Sequence, residues 1–161
     1  DAAAAYRELR LRGLKEHPDA FTSSDEEERG RPLVATASRI AVDSPDRVFG
    51  AFVAGALAGL VGVGREPRAK NHHKGVVFGM YVAPEHGRRG IGAALLRRAI
   101  DEARAQPGLE QLVLTVTETN LAARTRYEKS GFRSFGIEPR AIRAGGAFFD
   151  KNHMILYLAQ S

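Results

Sequence analysis

The sequence predicts an α/β fold: a mixed, mostly antiparallel central sheet with helices on both faces, formed as a single domain over residues 1–161. Three observations predict it. Short runs rich in Val, Leu, Ile, Phe and Thr recur at Arg47–Val53, Ala56–Glu66, Lys74–Val82, Gln111–Thr117, Phe132–Ile137 and Phe148–Leu158. Amphipathic helical patterns interrupt them after Gly90 and after Thr119. The order strand, helix, strand between Lys74 and Thr117 calls for a crossover connection, which makes those two strands parallel.

Each element has a local cause. Asp1 reads as the N-cap of a helix over Ala2–Glu16, with Tyr6, Leu9 and Leu14 as its apolar positions and His17-Pro18 as its stop. Phe21–Arg31 is polar, and Asp25-Glu26-Glu27-Glu28 reads as a solvated turn. Leu33–Val42 reads as a short second helix. Arg47–Val53 and Ala56–Glu66, joined at Ala54-Gly55, read as an antiparallel hairpin. Pro67–His73 is a polar loop, and Lys74–Val82 a third strand. Ile91, Leu95, Ala99 and Ala103, flanked by Leu96 and Ile100, then give a helix with one apolar face, ended by Pro107-Gly108. Gln111–Thr117 reads as an interior strand. In the next helix Thr119 is the expected N-cap and Gly131 the left-handed C-terminal glycine. Phe132–Ile137 is a strand, Glu138–Gly146 a connection broken by Pro139 and Gly145-Gly146, and Phe148–Leu158 the last strand.

Composition narrows the function. At 43% hydrophobic and 27% charged the chain reads as a globular protein. No apolar run reaches the length of a membrane span, and the nearest, Phe49–Val63, holds four glycines. No cysteine is present, which excludes disulfides and thiolate catalysis and agrees with a cytoplasmic location. The net charge of +5, from 24 basic and 19 acidic residues, fits either a nucleic acid or an anionic small molecule. The arginines are scattered without a long basic run, so they read as solvated faces more than as a nucleic-acid stripe.

The most informative segment is Val82–Leu96. A strand enters a loop holding Gly87, Arg88, Arg89, Gly90 and Gly92, and the loop opens directly onto a helix. A helix start offers unpaired N–H groups and the positive end of the dipole. The glycines let an anion approach the backbone and the arginines add charge, so Gly87 to Ala93 reads as a phosphate or pyrophosphate site. It is not a P-loop, because Ala93-Ala94 follow Gly92 where Lys-Ser or Lys-Thr is needed. It is a poor dinucleotide fingerprint, because Leu95 stands where the third glycine belongs.

With these residues in view, the chain resembles the GNAT family of N-acetyltransferases. Gly87-Arg88-Arg89-Gly90-Ile91-Gly92 looks like that family's pyrophosphate loop, Arg/Gln-x-x-Gly-x-Gly/Ala, with Gly87 in place of the first Arg or Gln. Asn120-Leu121-Ala122-Ala123 through Tyr127 to Gly131-Phe132 looks like its Asn-x-x-Ala-x-x-x-Tyr-x-x-x-Gly-Phe helix. The resemblance covers roughly residues 47 to 158. It implies a splayed parallel strand pair that admits the pantetheine arm, and acetyl-CoA as cosubstrate. It also implies cofactor contacts from Met80, Tyr81, Val82, Gly87, Arg88, Arg89, Gly90, Ile91, Gly92, Ala93, Asn120, Ala123 and Tyr127. Tyr127 would act as general acid toward the leaving thiolate, and Asn120, which also reads as a helix cap, would bond a pantetheine amide. The strand that precedes the first helix in such folds is expected to be absent from this sequence.

The chemistry implied is direct acetyl transfer to an amine of a small molecule or peptide within a ternary complex. A cysteinyl acyl-enzyme is impossible, and no Gly-x-Ser-x-Gly elbow supports a serine one. Gly79 suits a bulge that would aim the Met80 or Tyr81 N–H at the thioester carbonyl. Glu66 and Glu118, at strand ends, are the candidate bases, with His73 a third; each also reads as an ordinary surface residue. His72 and His73 are adjacent and would point to opposite faces, so no metal is expected. Two other readings stay open, a non-catalytic acyl-CoA-binding module and a basic nucleic-acid-binding protein. A homodimer is compatible with the chain, and no membrane partner is expected. The acceptor wall falls to Asp19–Pro45, Pro67–His73 and Glu138–Phe149.

Overall fold

A computed structural model of the chain describes residues 1–158. Three helices come first: α1 (Ala2–Glu16), α2 (Asp25–Gly30) and α3 (Leu33–Ile40). Asp1 caps α1 by accepting the Ala3 N–H, and Ser24 caps α2 by accepting the Glu27 N–H. Strands β1 (Arg47–Val53), β2 (Ala56–Arg65) and β3 (Lys74–Val82) follow as a meander. Then come α4 (Ile91–Ala105), β4 (Gln111–Thr117), α5 (Leu121–Lys129), β5 (Arg133–Ala144) and β6 (Ala147–Tyr157).

The six strands form one sheet in the order β1-β2-β3-β4-β6-β5, and only β3 and β4 run parallel. The helices cover both faces because successive strand residues point opposite ways. Val61, Val63 and Val77 pack with Leu95, Leu96 and Ile100 of α4 and with Tyr127 and Phe132. Leu60 and Tyr81 pack on the other face with Tyr6 and Leu9 of α1. Gly13 permits this second contact: a Cβ there would lie 3.0 Å from the Tyr81 ring.

Three expectations need correction. Glu28 is not solvated; it is 1% exposed, with Arg10 Nε at 3.3 Å and Arg31 Nη1 at 3.4 Å from its Oε2. Asn120, not Thr119, caps α5, with its Oδ1 accepting the Ala123 N–H at 3.2 Å. Glu138–Gly146 is not a loop. β5 runs on to Ala144, and an irregularity between Glu138 and Ile142 absorbs Pro139 and the left-handed Arg140. A proline is tolerated there because β5 is an edge strand.

Candidate functional site

The site starts from a break in the sheet. β3 and β4 pair only at Lys74–Gln111, Gly75–Leu112 and Val76–Val113, then part. The cause lies in β3. Leu60 opposes Tyr81 and Gly62 opposes Phe78, so Gly79 and Met80 together face the single residue Val61. This is the bulge expected at Gly79, whose φ is +64°. A bulge bends its strand and leaves backbone groups outside the ladder. The parted strands enclose a cleft of about 610 Å³, walled by Val76–Val82, by Val113–Thr117 and by Asn120, Ala123, Arg126 and Tyr127 of the α5 segment.

At the end of β3 the chain enters the glycine loop. Arg88 and Gly90 take left-handed conformations, with φ of +63° and +76°. Left-handed and right-handed residues in alternation turn N–H groups toward a common point, which makes an anion-binding concavity. Arg88, Arg89 and Gly90 are exposed. Among the described residues no side chain caps α4, unlike α1, α2 and α5. Its first intrahelical bond is Ala94 N–H to Gly90 O, so the N–H groups of Ile91, Gly92 and Ala93 stay available. Arg126 of the cleft wall lies against Gly92, which ties the loop to the cleft. These features suit a diphosphate at the loop with an extended chain running between the strands.

Asn120, Ala123 and Tyr127 share one face of α5 and all line the cleft, as their spacing predicts. Tyr127 is 7% exposed and packs edge-on against Phe132, with ring centroids 6.0 Å apart. Burial pushes its phenol pKa up, and the Arg126 charge opposes that rise. The phenol therefore stays protonated through neutral pH. Met80, Tyr81 and Val82 form the β3 wall. The Tyr81 hydroxyl donates to Glu16 Oε2 at 2.6 Å; burial first, and this bond second, raise its pKa.

The three candidate bases sit elsewhere. Glu118 accepts from Arg124 Nη1 and from Asn152 Nδ2, both at 2.9 Å, and does not line the cleft. Glu66 borders a separate, shallower hollow with Arg39, Asp46 and Phe78. His73 lies at the closed end of the β3–β4 pair, where its carbonyl accepts from Glu110 and Gln111. What the cleft does hold, and sequence reasoning passed over, is Arg10, His17, Lys151 and His153. His153 Nε2 lies 2.9 Å from Glu138 Oε1. One signal was visible: Asp150-Lys151-Asn152-His153 interrupts an otherwise largely apolar final strand. Among the described residues no three His, Asp or Glu side chains converge as a metal site, and no helix is long and apolar enough to cross a membrane.

Comparison with solved structures finds the same architecture. The yncA protein of Salmonella typhimurium, solved with its cofactor acetyl-CoA, matches with a TM-score of 0.79 at 23% identity, covering 99% of this chain and 90% of that one. An N-acetyltransferase of Staphylococcus aureus Mu50 matches with a TM-score of 0.79 at 20% identity, covering 97% and 92%. The ribosomal-protein-S18-alanine N-acetyltransferase of Escherichia coli matches with a TM-score of 0.74 at 22% identity, covering 99% and 89%. At these identities the likeness establishes the fold. Family membership rests on the sequence itself, which matches the acetyltransferase (GNAT) family over residues 10–132. The chain, with its uncapped glycine-loop helix and its parted strands, belongs to the GNAT family of acetyltransferases.

Proposed function

We propose that the protein is an N-acetyltransferase that transfers the acetyl group of acetyl-CoA directly to an amine held in the same cleft. One observation carries the reading: the bare start of α4 and the gap between β3 and β4 meet at Arg126, and Tyr127 stands one residue further along that wall. Acetyl-CoA supplies an activated acetyl thioester and a thiolate leaving group.

The chain's own residues supply the rest. The N–H groups of Gly90 to Ala93, with Arg88, Arg89 and Arg126, hold the diphosphate. Backbone groups of β3 and β4 that have lost their ladder partners hold the pantetheine amides, with Asn120 beside them. The bulge at Gly79 and Met80 aims a main-chain N–H at the thioester carbonyl. Tyr127, kept protonated by burial, donates its proton to the departing sulfur. His153 takes the amine's proton: with Nε2–H donated to Glu138, Nδ1 is the ring's acceptor. Glu118 works from outside the cleft, holding Asn152 beside His153 and Arg124 on α5. Holding both substrates together lowers the entropic part of the barrier.

The test is thiol release from acetyl-CoA across a panel of amines, with mass spectrometry of the acetylated product. Acetylated amine from the wild-type protein, and its loss in Tyr127→Phe with coenzyme A binding retained, is the expected result. Tight coenzyme A binding with no product from any amine would instead identify a non-catalytic acyl-CoA-binding module.

A further inference from the structure

The cleft carries an unbalanced charge. Its ionisable walls are Arg10, His17, Arg39, Arg126, Lys151 and His153 beside two tyrosines, and no Asp or Glu lines it among the described residues. Arg126 belongs to the glycine-loop end, against Gly92. Lys151 belongs to the other side, where it meets the segment 17–23 at Ala20, and Arg10 reaches the cleft from α1.

Lys151 is 5% exposed. Its ammonium donates to Ala20 O and to Thr117 Oγ1, each at 3.2 Å, and Thr117 Oγ1 in turn donates to Asp19 O at 2.5 Å. All of these acceptors are neutral, and among the described residues two bonds leave one of the three N–H groups free. The nearby carboxylates are Asp19 and Glu138, which offset in part the downward pull of burial on this ammonium. Neither bonds to it, and Glu138 is engaged by His153. A buried ammonium without a paired anion is costly, so an anion arriving beside it gains more than one meeting a solvated lysine.

Arg10 is a second buried cation on this wall, and unlike Lys151 it faces a carboxylate. Its side chain is 10% exposed, and its Nε, although 3.3 Å from Glu28 Oε2, is buried without a hydrogen bond. Arg31 shares the same Glu28 oxygen, so one buried carboxylate serves two guanidinium groups. Arg10 Nη1 reaches the bulge, 3.6 Å from where a Cβ of Gly79 would stand.

We infer that the acceptor is an amine bearing its own negative charge, as an α-amino acid bears its carboxylate, and that Lys151 and Arg10 bind that anionic group beside the Gly79 bulge. This rests on the acetyltransferase reading above. An amino acid places amine and anion two bonds apart, so the group held by Lys151 and Arg10 fixes the amine near the bulge. A polyamine or aminoglycoside finds no carboxylate among the described residues that line the cleft.

The experiment uses the whole chain. Acetyl-CoA binding is measured first by calorimetry. Thiol release is then followed with the common α-amino acids, each offered as the free acid and as its methyl ester, and with spermidine. We expect at least one free acid to be acetylated with kcat/KM about tenfold or more above its ester. We also expect Lys151→Met to raise KM for the acid about tenfold while leaving KM for the ester nearly unchanged, with Lys151→Arg restoring part of the difference. Esters or spermidine equal to or better than the acids, or no acid acetylated by protein that binds acetyl-CoA, overturns the inference alone. Absent acetyl-CoA binding overturns the acetyltransferase reading and this inference together. Should Lys151→Met not fold, the wild-type comparison of acid with ester decides.

Discussion

Arg126 and Gly92 are in van der Waals contact: a Cβ on Gly92 would lie 2.7 Å from Arg126 Cζ. The contact joins the two sequence motifs, which are otherwise separated by β4. It parks a guanidinium at the mouth of the uncapped α4 helix. A charge-assisted hydrogen bond is worth about 1.5–3 kcal/mol. Arg126→Ala is therefore expected to weaken coenzyme A binding by about tenfold or more, measured by calorimetry, with far-UV circular dichroism unchanged. The loss should shrink for a pantetheine fragment that lacks the diphosphate.

Gly90 tests the loop itself. Its φ of +76° is strained for any L side chain, yet no atom lies within 4 Å of the Cβ position. Gly90→Glu therefore costs the fold only about 1 kcal/mol of backbone strain. Its carboxylate meanwhile enters the space that the proposed diphosphate site needs. Coenzyme A binding should disappear in calorimetry while the melting temperature falls by only a few degrees.

Tyr127 tests the chemistry. General acid catalysis contributes typically about 10²–10⁴ in rate. Tyr127→Phe should lower kcat within that range and leave coenzyme A affinity close to wild type, because only the hydroxyl is removed. Since burial raises the phenol pKa, no alkaline fall in rate near its ordinary value of 10 is expected from this group.

The link between α1 and the glycine loop predicts a pH dependence of stability. Arg12 Nη1 and Nη2 each lie 2.5 Å from a Glu85 carboxylate oxygen, and that bond lowers the Glu85 pKa from 4.5 to about 2. A carboxylate depressed on folding stabilises the fold above its unfolded pKa and loses that contribution as pH falls through the folded one. The pair's contribution should be nearly complete above about pH 4.5, fall as pH drops toward 2 and vanish below about pH 2. Thermal melts of wild type and Glu85→Gln should differ slightly at pH 7, because the pair is exposed and screened, and converge as the pH is taken below about 2.

Gly13 tests the other face of the sheet. A methyl group there would meet the Tyr81 ring at 3.0 Å, and the ring is held in place by its bond to Glu16. Overpacking of this kind costs about 1–3 kcal/mol. Gly13→Ala should lower the denaturation midpoint by a corresponding amount, despite alanine's higher helix propensity.

The sequence made some of this legible and hid the rest for physical reasons. Local signals carried the strands β1 to β4, the helices α1, α4 and α5, the Gly79 bulge and the α5 face holding Asn120 and Tyr127. Each depends on spacing within one element. Glu28 misled because its burial depends on Arg10, eighteen positions away, and an acidic run looks solvated until its partner is known. Thr119 and Asn120 both make good caps, and only backbone geometry chooses between them. The length of β5 was hidden because a proline breaks an interior strand but not an edge one. Glu66 and Glu118 end strands as a base would, but side-chain direction at a strand end is set by the following turn. Lys151 and His153 were legible only as polar residues in an apolar strand. The cleft they face is made by a parting of β3 from β4 that their own strand does not record.

That parting has a mechanical consequence. Among the described residues, three rungs between β3 and β4 are the only ladder joining β1–β3 to β4–β6, so the sheet is two leaves hinged along one short margin. Amides inside the opening have no cross-strand partner and will exchange with solvent faster than those at the hinge. A guest lying between the leaves would bridge them, so protection against exchange should rise on both sides of the slit at once when it is filled.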